Sequence, residues 1–466
     1  MALAVMKQVR EGGYANLAMH EVLSRARPTS GDAAFATELV FGTCRHLGTL
    51  DTIIEHAASR PISSLQPGVV DVLRLGAEQM LAMAVPAHAA VSTSVDLAAA
   101  QIGRRVTAVV NAILRRVSAH DWSGWMDEVT RQSTPEESMA IRSCHPAWIV
   151  RAYSEVVPTE LPLALAANNI PATPTLVVRP GLMSRQDLIR QARTSLRARP
   201  PQSRLGGGEG ETQSDQSGPV GHSDCVTATV FSPWGVRRPG DPGEVEAVRT
   251  GFAGVQDEGS QLVAGVVARV DAPPGPWLDM CAGPGGKTAL LLGLARERGE
   301  RVVAADLHPH RARLVSDAIR AYGETMVMAA DGRSPAWGQS FSRVVLDAPC
   351  TGLGALRRRS EARWRKGQQD LSSLTALQRE LLRSACRSVA PGGVVAYITC
   401  SPHVAETAEV VAAVVGEGDV DVLDAPALLP NVPEAEASTD PRFIQLWPHR
   451  HGTDAMFCAL LRKRPR

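Results

Sequence analysis

Along the first third of the chain, apolar residues recur at helical spacing: Phe35, Leu39, Val40 and Leu47, then Val69, Val72, Leu73 and Leu75. This is the period of amphipathic helices. Proline and glycine punctuate the runs, as at Pro28 and Pro61, so residues 1–135 are predicted to form an all-helical domain. From about Cys144 to Gly251 the pattern shortens to apolar segments such as TPTLVVRP and DCVTATVFSP, separated by prolines. That texture predicts a linker and a small α/β domain over residues 136–251. Within it, residues 203–224 are almost free of large apolar side chains and are expected to be a disordered surface insertion.

From Phe252 onward, β-type runs alternate with helical ones: WLDMC, GGKTALLLGLARERG, RVVAADL, HRARLVSDAIRAYG, MVMAAD, RVVLDAP, LTALQRELLRSACRSV and GVVAYITCS. Strands alternating with helices of this length imply right-handed crossovers and a mainly parallel sheet covered on both faces. Residues 252–466 are therefore predicted to be a Rossmann-like α/β domain, and its ligands are sought at the carboxyl ends of the strands.

Composition changes this picture only in part. At 466 residues and 44% hydrophobic content, the chain is long enough to fill two or three cores. A formal net charge of +1 gives no global sign of nucleic-acid binding, so that case rests on local basic clusters. These are Arg104 and Arg105, Arg115 and Arg116, and above all RRRSEARWRK from Arg357 to Lys366. The segment GRRVTAVVNAILRRVS reads as an amphipathic helix whose arginines are either a solvated face or an RNA contact. Eight cysteines with no CxxC pair argue for reduced thiols and against both a disulfide framework and a metal site. No apolar run approaches the roughly 20 residues of a membrane span, and the first residues lack the features of a signal peptide. A cytoplasmic, monomeric protein without membrane or metal partners is expected.

The stretch LDMCAGPGGKT, Leu278 to Thr288, is a strand that ends in a glycine-rich turn and opens a helix, which exposes backbone N–H groups to a polar ligand. A phosphate-binding P-loop would need glycine at position 281, where Cys281 stands. A dinucleotide fingerprint would need glycine or alanine where Thr288 stands. A smaller nucleoside ligand remains. Asp306, about 20 residues beyond the glycines, fits the acid that accepts from ribose hydroxyls. Asp279, Asp331 and Asp347 are further acidic strand ends, and S-adenosylmethionine, with its ribose diol and cationic amino-acid part, suits such carboxylates.

Two cysteines follow β-type runs, Cys350 in VVLDAPCTGLG and Cys400 in YITCSP. Either could be a nucleophile, and two at adjacent strand mouths beside a cofactor loop point to chemistry more than to packing. Taken in order, DMCAGPGGKT, AADLHPHR, ADGR, VVLDAPCTGLGALRR and YITCSP closely resemble the RNA 5-methylcytosine methyltransferases, and especially the bacterial RsmB (Sun/Fmu) type that modifies 16S ribosomal RNA. FATELVFGTCRHLGTLD with NAILRR is similar to the NusB-like helical domain of that group, and GVQDEGSQLVA to its lead-in to the catalytic domain.

The resemblance implies that Cys281, Ala282, Gly283, Pro284, Gly285, Gly286 and Lys287 line S-adenosylmethionine, that Asp306 holds the ribose, that Asp331 lies near the adenine and Asp347 near the methionine end. It implies Cys400 as the nucleophile. DNA cytosine methyltransferases attack with a Pro-Cys matching Cys350 and carry Glu-Asn-Val where this chain has Thr-Cys-Ser; that departure favours Cys400 as attacker and Cys350 as the residue of product release. Two small departures from the family pattern are Gly283, where alanine is commoner, and Ser360, where proline is usual. Carbon 5 of cytosine is too weak a nucleophile to be methylated directly, so a thiolate first adds at carbon 6. An electropositive, partly exposed pocket raises the thiolate fraction above that of free cysteine, whose pKa is about 8.5, and Lys287 is a candidate for that field. The run containing Arg357, Arg358, Arg359, Arg363, Trp364, Arg365 and Lys366 is expected to bind RNA phosphates and stack a base, with Arg104 and Arg105 contributing from the helical domain. The expected partner is 16S ribosomal RNA. Transfer-RNA methylation and a non-catalytic RNA-binding assembly or antitermination factor are the alternatives.

Overall fold

The computed structural model describes residues 1–197, 225–323, 325–335 and 337–465, so the insertion expected at 203–224 lies outside the described residues. The chain divides into two units, one of residues 1–170 with 356–368, the other of 171–355 with 369–466.

The first unit is helical, but it does not stop at residue 135. Helices Pro135–Ser143, Ala147–Ser154 and Leu161–Asn168 continue it, the first started by a capping box between Thr134 and Glu137. Its centre is the helix Ser30–Ala58, begun by Thr29, whose hydroxyl accepts from the Asp32 N–H at 3.2 Å. Leu50, Ile53 and Ile54 on this helix pack with Val72, Leu73, Val110, Ile113 and Leu114, while Leu39, Val40 and Cys44 join Val5, Met6 and Leu75 in a second cluster. Phe35, at the same helical spacing, is 45% exposed. The predicted amphipathic segment forms the helix Thr107–Val117 with Val110, Ile113, Leu114 and Val117 buried.

The second unit contains two sheets. The smaller joins β1 (Thr175–Val178), β2 (Thr227–Ala228), β3 (Gly235–Arg237) and β4 (Ala253–Val255) in the order β2-β3-β1-β4, with β3 and β4 antiparallel to β1. The expected boundary at 251 therefore falls inside this sheet, because β4 follows it in sequence. The larger sheet is built from β5 (Trp277–Asp279), β6 (Val302–Asp306), β7 (Met326–Ala329), β8 (Phe341–Asp347), β9 (Val389–Thr399), β10 (Val420–Leu423), β11 (Ile444–Gln445) and β12 (Phe457–Lys463). Its order is β10-β12-β9-β8-β5-β6-β7, with β11 beside β12. Neighbours from β7 to β9 are parallel, and β12 returns antiparallel to β9.

Alternation along the strands explains why both faces are dry. Val345, Val394, Ala396 and Ile398 pack on one side with Leu290, Leu291 and Leu294, while Val344, Leu346, Val395 and Tyr397 pack on the other with Leu381, Leu382 and Val410. The chain runs outward from β5 through β6 to β7 and then resumes at β8 on the other side of β5. That reversal opens a crevice at the carboxyl ends of β5 and β8, where doubly wound sheets bind ligands.

Candidate active site

The turn after β5 carries the glycines. Gly285 has φ +105°, and a Cβ there would meet Val315 Cα at 2.9 Å and Ala318 Cβ at 2.7 Å, so only glycine lets the loop approach the next helix. Gly286 opens the helix Gly286–Arg296, and a Cβ on it would meet nothing within 4 Å. A Cβ on Gly283 would lie 2.6 Å from Asp306 Oδ2 and 2.8 Å from Arg311 Nε.

Asp306, at the end of β6, accepts from Gly283 N–H and His308 N–H, each at 3.0 Å. Arg311 donates to Gly283 O at 2.6 Å and stands 3.5 Å from Asp306 Oδ2. Asp279 is buried at the end of β5. One of its oxygens accepts from Thr288 Oγ1 at 2.6 Å, and the other has no hydrogen-bond partner among the described residues. Burial pushes its carboxyl up to about 7 against the lowering bond from Thr288, and the Asp347 charge adds to the rise. Asp331, just beyond β7, is held by Arg333, which donates to both its oxygens and keeps its pKa below the usual carboxylate value.

Lys287 Nζ donates to Asp347 Oδ2 at 2.7 Å, which places a partly buried ammonium at the mouth of β8. Three residues on, Cys350 Sγ lies 3.4 Å from Cys400 Sγ, which follows β9, and both thiols are partly exposed. The two loops are stitched together by backbone: Gly354 N–H donates to Cys400 O at 2.8 Å, and Gly354 O accepts from Ala455 N–H at 2.9 Å. A Cβ on Gly354 would lie 2.0 Å from Ala455 O.

The pair is electrostatically asymmetric. Cys400 is lowered, first by the hydrogen bond from Cys350 and further by Lys287, against its own burial and the charges of Asp347 and Asp454. Cys350 is raised, first by that same bond and then by burial, with the charges of Cys400, Glu406 and Asp347 adding to it. Of the two thiols, Cys400 is therefore the easier to ionise. Cys281 lies at the start of the glycine turn, and burial raises its thiol.

The basic run from Arg357 to Lys366 is corrected by the structure, because its centre packs inside the helical unit. Arg363 is fully buried and donates to Cys144 O at 2.8 Å, Asn169 Oδ1 at 2.8 Å and Asn168 O at 3.2 Å. Trp364 donates its indole N–H to Cys44 O at 2.9 Å, and its ring lies where a Cβ on Gly48 would be, 2.2 Å from that position. Arg365 donates to Val9 O at 3.1 Å and to Gly13 O, with its guanidinium over Tyr14. These three tie the segment to the helices, with Arg363 buried and Trp364 and Arg365 partly buried. Arg358, Arg359 and Lys366 remain exposed and Arg357 half-buried, and Arg104 and Arg105 are exposed in a short turn before the helix Thr107–Val117.

Sequence reasoning missed Glu406, Thr351, Ser401, Gln378 and Asp454, whose polar groups are buried about the cysteine loops. Polar residues directly after both cysteines were the available signal.

A glycine turn at the switch point of a mainly parallel sheet, acidic strand ends and a helical domain before them define a Rossmann-like methyltransferase with a NusB-like domain. The family model described as 16S rRNA methyltransferase RsmB/F matches residues 271–462, and that of the NusB family matches residues 1–119. A relative from Mycobacterium tuberculosis (strain H37Rv) that bears the name methyltransferase is 42% identical, over 97% of this chain and 93% of its own. The ribosomal RNA small subunit methyltransferase B of Vibrio vulnificus (strain YJ016) is 28% identical over 87% of each chain. The chain belongs to the RsmB/F family of methyltransferases. Among solved structures, that of PH0851 shares the fold with a TM-score of 0.78 at 20% identity, over 99% of this chain and 98% of its own. A methyltransferase homolog from Pyrococcus horikoshii shares it with 0.54 at 21% identity, over 71% of this chain and 99% of its own. No helix among the described residues is long and apolar enough to cross a membrane.

Proposed function

We propose that the protein methylates carbon 5 of a cytosine in 16S ribosomal RNA from S-adenosylmethionine, with Cys400 as nucleophile and Cys350 as the residue of product release. The observation that carries this reading is the 3.4 Å contact between two thiols that their mutual hydrogen bond shifts in opposite directions, Cys400 down and Cys350 up, with Lys287 a further lowering charge on Cys400 only.

The residues fit the cofactor. The orphaned buried oxygen of Asp279, the acid Asp306 beside the glycine turn, and the unfilled space where a Gly286 side chain would stand suit a ligand with ribose hydroxyls and a positive charge. Residues 281–287 with Asp306 would hold it, Asp347 would face its charged end, and Asp331 would have to release Arg333 to meet the adenine. When bound, S-adenosylmethionine supplies an electrophilic methyl group.

The Cys400 thiolate attacks carbon 6 of an unstacked cytosine, and the new C–S bond gives carbon 5 enamine character. Once that bond exists, the charge that held the Cys350 proton is gone, and Cys350 loses its proton to solvent. In release, the C5–H bond of the methylated base breaks and its proton passes to the Cys350 thiolate. The electron pair forms the C5–C6 double bond, and the C6–S bond breaks with its pair returning to Cys400.

Ribosomal RNA as substrate is supported by the relatives named as small subunit methyltransferases, and a cytoplasmic location goes with that reading. Cys400→Ala is expected to abolish methylation, by roughly 10³-fold or more, and to form no covalent protein–RNA complex. Cys350→Ala is expected to accumulate that complex. Transfer of labelled methyl to 16S RNA, with transfer RNA as the control, tests the substrate; methylation of transfer RNA alone would overturn it, and no transfer with tight binding would favour an assembly factor.

A further inference from the structure

Glu406 is fully buried six residues after Cys400, in a short turn that follows the Thr-Cys-Ser loop. Its carboxylate is not oriented toward solvent or toward any basic side chain among its hydrogen-bond partners. One oxygen accepts from the backbone N–H of Thr351, the residue after Cys350, at 2.8 Å, and the other accepts from the Thr351 hydroxyl. Gln378 donates to the first oxygen at 3.1 Å and to Pro349 O, the residue before Cys350, at 2.7 Å. Both neighbours of Cys350 are therefore tied to one carboxylate. The backbone of Glu406 is fixed in turn by Tyr397, whose hydroxyl donates to Glu406 O at 2.7 Å from β9. A contact of 3.3 Å between Thr351 Oγ1 and Ser401 Oγ closes the circuit beside Cys400. A buried carboxylate is costly unless it is fully hydrogen-bonded, and a hydrophobic residue would fill the same volume more simply.

We propose that Glu406 is the positioning residue of the release step, its carboxylate holding the Cys350 loop in register with the Cys400 loop. The inference rests on the reading of Cys400 as attacker and Cys350 as release residue. Adduct formation needs Cys400, the cofactor loop and Lys287, none of which Glu406 touches through its carboxylate. Release needs Cys350 beside the adduct, and that loop is what the carboxylate holds. Glu406 also acts on Cys350 as a charge. The groups that face Cys350 are Cys400, Glu406 and Asp347, and those that face Cys400 are Lys287, Asp347 and Asp454. Removing the Glu406 charge makes the Cys350 thiol easier to ionise.

The test compares full-length wild type, Cys350→Ala, Glu406→Ala and Glu406→Gln with 16S RNA and S-adenosylmethionine, reading the denaturant-stable protein–RNA complex and methyl turnover. Glu406→Ala is expected to accumulate the complex as Cys350→Ala does, with turnover down by at least ~10-fold. Glu406→Gln keeps an acceptor for Thr351 and Gln378, and is expected to retain turnover while the pH profile of release moves to lower pH. A merely structural role would leave that profile in place. Glu406→Ala that folds but releases normally, or that forms no complex, would overturn the proposal. If Glu406→Ala fails to fold, an unmoved profile in Glu406→Gln would overturn it instead. A Cys350→Ala variant that accumulates no complex would sink the underlying reading, whatever the Glu406 variants do.

Discussion

At the scale of the residue, Lys287 is the one basic side chain among the groups that shift the two thiols. Its ammonium is held by Asp347, and it adds to the lowering of Cys400 that the hydrogen bond with Cys350 begins. Lys287→Met is expected to move the pH midpoint for alkylation of Cys400 upward, since the lowering charge is lost and that of Asp347 is left unbalanced. Mass spectrometry of the Cys400 peptide after timed alkylation reads that midpoint directly, and an unmoved midpoint would remove Lys287 from the mechanism. Asp279 makes a prediction of the opposite kind. Its carboxyl titrates near 3.8 when unfolded and at about 7 when folded. Between those values the folded chain holds a proton that the unfolded chain has released, so this group's contribution to stability is full below 3.8 and falls as pH rises to about 7. Urea midpoints measured at about pH 5 and about pH 8 are expected to differ less in Asp279→Asn than in the wild type.

At the scale of the element, the strand ends were legible and the segment after Ala355 was not. Asp279, Asp306 and Asp347 could be placed because apolar alternation, a glycine turn and the helix that follows are all local. Cys350 and Cys400 could be paired because a parallel sheet aligns its carboxyl ends. Residues 356–368 gave a different impression in sequence: six basic side chains and a tryptophan look like an RNA surface. The packing of Arg363 and Trp364 depends on Cys44, Gly48 and Asn168, roughly two to three hundred positions away, and no local pattern records that. Glu406 was invisible for the same reason, since its donors lie on three other segments. Arg363→Ala is expected to destabilise the helical unit by about 2–4 kcal/mol, through loss of its buried hydrogen bonds. It should leave the salt dependence of RNA binding unchanged at permissive temperature. Arg359→Ala, at an exposed position, is expected to change stability little and to reduce the salt slope by about 1 if that arginine meets a phosphate. Thermal melts and binding titrations on the two variants separate packing from contact.

At the scale of the whole molecule, the helical unit is completed by a segment that the chain supplies only after residue 355. A fragment of residues 1–170 is therefore expected to melt at a lower temperature than the same fragment mixed with a peptide of residues 356–368, and an unmoved melt would contradict the division. The same connection runs directly from the Cys350 loop into that segment, so the DAPC strand end and the packing of the helical unit are consecutive in the chain. The central claim concerns which sulfur forms the bond to RNA. Its most direct measurement uses the intact protein, S-adenosylmethionine and 16S RNA carrying 5-fluorocytosine, whose C5–F bond blocks release, followed by digestion and mass spectrometry of the trapped complex. The nucleotide is expected on the peptide containing Cys400, whereas a nucleotide on the peptide containing Cys350 would contradict the account.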